Sequence, residues 1–153
     1  MRVIGLAISF APLLALAAPA PAAEVTLRGS LLPSCILTLS TEGRLAASGD
    51  PTMMGSEEAG GNPALMAVVA VGATPTITFS APVIEGPGGL DGGAQAQIRY
   101  TSLGGSNQPY TGTTSSSAQV RLLDTFTIHA RIVSPNGFAA GNYAVRSTTT
   151  CEQ

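Results

Sequence analysis

Asp124-Thr-Phe-Thr-Ile-His-Ala-Arg-Ile132 alternates without a break: Phe126, Ile128, Ala130 and Ile132 share one parity, and Thr125, Thr127, His129 and Arg131 share the other. Successive side chains of a strand point to opposite faces, so this period of two predicts a strand with one face on a core and one on solvent. Working outward, the same signature recurs. Ala94, Ala96, Ile98 and Tyr100 are in register over 94–100, Thr76-Ile-Thr-Phe-Ser80 alternates, and Cys35, Leu37 and Leu39 share a parity over 35–40. Ala64–Val71 is a continuous apolar run of strand length, and Gly72-Ala-Thr-Pro75 between it and the alternating Thr76–Ser80 predicts a hairpin whose first strand is central and whose second is half exposed. A turn at Ser134-Pro-Asn-Gly137 leads toward a closing strand from Tyr143 to Cys151. Toward the start, Val25-Thr-Leu27-Arg-Gly29 and Cys35–Ser40 predict two short strands parted by Pro33, followed by at most a short strand at 44–47. Clusters of Gly, Pro, Ser and Asn predict loops at 49–63, 86–93 and 104–118, the last containing Thr111-Gly-Thr-Thr-Ser-Ser-Ser117 as a mobile, low-complexity segment. No helical period is sustained beyond the first 22 residues. About seven short strands in one domain point to an all-β, sandwich architecture.

The first residues read differently. Met1-Arg2 is a positive start, Val3–Ala18 is uncharged and apolar, and Ala18-Pro-Ala20-Pro-Ala22-Ala23 offers the small residues that a signal peptidase requires. A signal peptide over 1–22, cleaved after Ala22 or Ala23, is expected, leaving a single domain over 23–153. The apolar run is shorter than a membrane span and carries Pro12, and no other stretch is long enough to cross a bilayer, so no transmembrane segment is expected. The chain of 153 residues has seven arginines, no lysine and nine carboxylates. A mildly acidic protein of this kind is not built for nucleic acid, and without lysine it has no Schiff-base or P-loop chemistry.

Cys35 and Cys151 are the two cysteines, one near each end of the predicted domain. An even count in an exported chain reads as one disulfide, and the alternation on both flanks turns each sulfur toward an apolar face.

The two ends of the chain also resemble the chaperone–usher pilin superfamily of bacteria, including its spore-coat-U-like secreted branch. Val25-Thr-Leu27-Arg-Gly29-Ser-Leu31-Leu-Pro-Ser-Cys35 is similar to that family's alternating N-terminal extension followed by a cysteine. Asp124–Ile132, Ala140-Gly141-Asn-Tyr143 and the final strand are similar to its last two strands. The resemblance implies an immunoglobulin-like sandwich that lacks its last strand and is completed by an extended segment of another subunit, with a periplasmic chaperone and copies of itself or related subunits as partners. On that basis Val25, Leu27, Gly29 and Leu31 are the candidate donor strand, and Tyr143, Val145, Ser147 and Thr149 the candidate acceptor edge. Residues 24–31 are equally consistent with the domain's own first strand, because a period of two cannot separate the alternatives. The chain departs from the pilin pattern in placing its second cysteine at the far end and in ending Thr-Cys-Glu-Gln without an aromatic residue.

Other residues invite chemistry. His129, Asp124 and the many serines suggest a hydrolase, but Asp124 lies five positions away on the opposite parity and no G-x-S-x-G elbow occurs. Asp50, Glu57 and Glu58 follow no calcium-loop motif, the glycine run at 86–93 lacks the helix and lysine of a phosphate cradle, and Met53, Met54 and Met66 read as packing residues. The expectation is therefore a non-enzymatic protein with no catalytic residue, metal or cofactor. It would be a pilin-like or coat-like, fimbrial structural subunit of the periplasm, cell surface or extracellular space. The rival expectation is a self-contained periplasmic or secreted binding module that uses its long loops.

Overall fold

The computed structural model describes Thr26 and residues 28–72, 74–87, 93–118 and 122–153. Over these residues the chain is all-β, with twelve strands and no helix, so no described helix is long and apolar enough to cross a membrane. The stretch 123–133 forms the backbone of a seven-stranded antiparallel sheet. At eleven residues, β10 (Leu123–Val133) is long enough to hold different neighbours along one side. Its first half pairs with β4 (Ala64–Val71), and its last three residues pair with β3 (Met53–Gly55), which in turn carries β2 (Ala46–Ala47). Its other side takes β7 (Gln95–Ser102), which carries β8 (Asn107–Thr111). Beyond β4 lies β1 (Ser34–Thr41), the edge of the sheet.

Two smaller antiparallel sheets complete the sandwich-like arrangement. One consists of β12 (Thr149–Glu152), β5 (Thr76–Phe79) and β9 (Ser115–Ala118), and the other of β11 (Ala144–Arg146) and β6 (Val83–Glu85). The core lies between the sheets and follows the alternation: Val68 from β4, Ile77 and Phe79 from β5, Ile98 and Tyr100 from β7, and Phe126 from β10 are buried together. Phe79 stacks on Tyr100 with ring centroids 4.5 Å apart, and Phe126 sits 5.8 Å from Phe79 and 5.6 Å from Tyr100. Such offset and edge-on pairs add attraction beyond the apolar area they bury. Cys35 and Cys151 meet at disulfide distance, Cα to Cα 6.3 Å, and join β1 of the large sheet to β12 of the small one beside this core.

Four expectations are corrected. The described residues hold twelve strands in place of about seven: β3, β6, β8 and β9 lie in stretches not read as strands, and the closing strand is two. Ala64–Val71 and Thr76–Phe79 do not form a hairpin: Gly72, with φ 88°, starts a turn that carries the chain out of the large sheet, and β5 pairs with β9 and β12. Thr111–Ser117 is no loose loop, since β8 ends and β9 begins within it. The ladder uses backbone groups, and polar side chains such as Thr78 and Ser116, whose hydroxyls lie 3.0 Å apart, can still bond across it. The closing strand from Tyr143 to Cys151 is two strands in different sheets, parted where Ser147 Oγ donates to Ser80 O and Thr148 N donates to Ser80 Oγ.

Asp124 shares the inward parity of Phe126 and is buried, with only 1% of its surface exposed. Its Oδ1 accepts from the N–H groups of Gly104 and Thr125, each at 2.8 Å. A side chain at position 104 would place its Cβ 2.5 Å from Asp124 Oδ2, so only glycine lets the backbone come close enough to donate.

Candidate functional site

Strands β4, β5, β7 and β10 send their inward side chains into one buried core, and an open groove of about 750 Å³ runs along it. Val68, Ile77, Tyr100 and Phe126 are buried in that core, with Cys35 and Cys151 packed against it. Two residues along from these on each strand, Met66, Phe79, Ile98 and Ile128 line the groove, Met66, Phe79 and Ile98 being buried in the same core and Ile128 half-buried. One wall of the groove is the far end of β1, with Leu39 and then Glu42–Leu45; the other is Tyr143–Thr149. Leu39 has the parity of the core-facing Cys35 and Leu37 yet is 57% exposed, because no side chain covers it from the groove.

Both walls carry open strand edges. Among the described residues β1 has β4 on one side and no strand on the other, and β11 has β6 on one side only. Unpaired N–H and C=O groups on such edges are a template for another strand. The floor is apolar, and the charged groups stand at the rim, where Arg146 Nε lies 2.7 Å from Glu85 Oε2 with both side chains largely exposed.

All four candidate acceptor residues line this groove. Val145 pairs with Ile84, Thr149 pairs with Phe79, Ser147 is tied to Ser80, and Tyr143 donates from its hydroxyl to Ala139 O at 2.9 Å. Of the candidate donor residues, Val25 and Leu27 lie outside the described residues. Gly29 and Leu31 are exposed, and Thr26 and 28–33 belong to no strand. The opposite wall at Leu39–Leu45 and the open floor at Ile128 and Ala130 were not expected from the sequence; the parity of Leu39 was a signal for its direction, not for the space in front of it.

The outer face of the same half of the large sheet carries a polar cluster. Glu57 accepts from Arg99, with Nε at 3.0 Å, and from the Tyr110 hydroxyl at 2.5 Å, and the Arg131 guanidinium lies 4.0 Å over the Tyr110 ring. The bonds from Arg99 and then Tyr110 hold the Glu57 carboxyl down at about 2, whereas burial, followed by the bond to Glu57, pushes Tyr110 up to about 12. His129 is half-buried, not freely exposed. Its Nδ1 lies 3.3 Å from Ser56 Oγ, and burial, then the charge of Arg99, lowers its pKa. Ser56 Oγ also accepts the Ala130 N–H at 3.0 Å. Glu57 lies close enough for its charge to act on His129, while Asp124, five positions along β10, is held by Gly104 and Thr125.

A smaller cavity of about 410 Å³ lies between residues 47–54 and 136–143. Phe138 and Tyr143 meet edge to face there at 5.3 Å, and Met53 and Met54 line it. Asp50 accepts from Thr52 Oγ1 at 2.7 Å and Thr52 N at 2.9 Å, which lowers its pKa and ties it to its own turn. Glu58 joins no metal-ligand group, and none of three or more His, Cys, Asp or Glu exists among the described residues. Compared with protein-family models, curated proteins and solved structures, the chain matches none.

Proposed function

We propose that this chain is an exported structural subunit, pilin-like or coat-like, whose immunoglobulin-like sandwich is completed at the cell surface by β-strand addition. The observation that carries the proposal is a groove bounded by two open strand edges, β1 and β11, and floored by the apolar side chains of Met66, Phe79, Ile98, Ile128 and Ala130. A strand laid there pairs with both edges and buries Leu39 and the floor, the ladder supplying affinity and alternate side chains the fit.

The occupant is residues 24–31 of a second copy. Val25, Leu27 and Leu31 share a parity with Gly29, so three apolar side chains face the floor while Arg28 faces solvent. Each such side chain contributes roughly 1.5–3 kcal/mol when fully buried. The described part of this arm is exposed and unpaired, which leaves it available. Export agrees with the leader over 1–22 and with a cysteine pair at disulfide distance, since such bonds persist in oxidising compartments.

Purified mature protein run unheated on a denaturing gel should give a ladder of oligomers, and deleting residues 23–31 should abolish the ladder while circular dichroism still shows a folded β protein. Loss of the fold on deletion would instead make 24–31 an integral first strand. The smaller cavity with Phe138 and Tyr143 favours the second reading, a monomeric module that binds a ligand through the segment 49–63, which the sequence read as a loop and which carries the short β3. A clean monomer with an intact arm would decide for it.

A further inference from the structure

Resting on strand addition as proposed above, we infer that the Cys35–Cys151 bridge is an end-stop that closes one end of the groove and fixes the register of the inserted strand. Apolar floors give poor register control. Because side chains repeat every two residues, a slip of two keeps every side chain on the same face and changes the fit little, whereas a slip of one reverses them all. The groove floor offers Met66, Phe79, Ile98, Ile128 and Ala130 and no charged side chain to pin one position. A groove open at both ends would therefore accept an alternating strand in several positions two residues apart.

The bridge removes that freedom. β1 leaves Cys35 and reaches the groove at Leu39, and the last segment enters the groove at Tyr143 and reaches Cys151 just after Thr149. The two walls thus run in opposite directions and are tied together at one end. The partners agree: Thr149 lies opposite Phe79, beneath the groove, and Cys151 opposite Ile77, inside the filled core. At the bridge the two walls come within 6.3 Å, Cα to Cα, whereas a strand lying between two others needs about 9.6 Å, so no strand continues past it. An added strand enters from the Tyr143 end and stops against the sulfurs. The wall beside it, 143–149, is about seven residues or roughly 20 Å at a rise near 3.3 Å per residue, which limits the paired length.

A synthetic peptide of residues 24–33 carrying a photo-crosslinking phenylalanine analogue in place of Leu31 reads the register directly. Incubated with the bridged protein and irradiated, it should mark a single position in the groove by mass spectrometry; with the Cys35→Ser/Cys151→Ser variant it should mark at least two positions two residues apart. The same single position in both proteins would overturn the end-stop and leave strand addition standing. No crosslink in either would overturn strand addition itself. If the variant does not fold, the bridged protein still decides. Two alanines added to one terminus of a fluorescent form of the peptide should weaken binding about tenfold, the effect of an unmade backbone bond at the stop, and two added to the other terminus should change it less than about twofold. An equal response at both termini would overturn the proposal.

Discussion

The two halves of β1 continue one alternation and end in different states. Near the bridge, Cys35 and Leu37 are packed against the buried core, with β12 joined across the disulfide. Leu39 has the same parity and pairs with the buried Met66, yet it is 57% exposed at the wall of the groove. Alternation therefore specifies which side chains point inward, and the segments present on the facing side decide whether inward means covered.

That contrast can be broken most strongly at the bridge. Replacing both cysteines by serine removes a loop constraint over a sequence separation of 116 residues and should lower the unfolding free energy in urea by up to about 5 kcal/mol. A loss below about 1 kcal/mol would mean that packing alone holds the bridged end of β1. Phe126→Ala, at a fully buried position against two rings, should cost about 3–5 kcal/mol in the same measurement.

The outer face of the large sheet is tied by the Glu57 cluster. Glu57 titrates lower in the folded chain, from an ordinary 4.5 to about 2, so its contribution is complete above pH 4.5 and fades as the pH falls toward 2. At a partly exposed ion pair this amounts to less than about 1 kcal/mol. Glu57→Gln should flatten that part of the acid limb of a stability–pH curve, and an unchanged limb would assign the acid sensitivity to other carboxylates. Smallest in stability, and sharpest for the contrast, is Leu39→Ala. At an exposed position it should shift stability by under about 0.5 kcal/mol, yet it should reduce the oligomer ladder, because Leu39 is buried only when the groove is filled.

Much of this was legible in the chain. The period of two from Asp124 to Ile132 foretold an inward row ending in the buried Ile132, and the runs at 64–71 and 94–100 foretold strands, whose pairing with 123–133 appears only in the structure. Pairing partners were less legible. Nothing in Gly72–Pro75 distinguishes a hairpin turn from a crossing between sheets, because the choice depends on what else is free to pair with Thr76–Phe79. Serine-rich β9 looked like loop because strand propensity measures packing, and β9 is held by its neighbour's backbone. Of the site, the wall at Tyr143–Thr149 came from resemblance to a family. Its counterpart at Leu39–Leu45 could not be read, since an empty volume is a property of spacing between chain segments distant in sequence.

The placement of residues 28–33 has one more consequence. They lead into β1 beside Cys35, at the sealed end of the sandwich, whereas the mouth of the groove lies at the far end of β1. With strand addition, each molecule gives at one pole and receives at the other. Such contacts join unlike surfaces, so repetition yields a directional filament that grows head to tail in place of a closed pair.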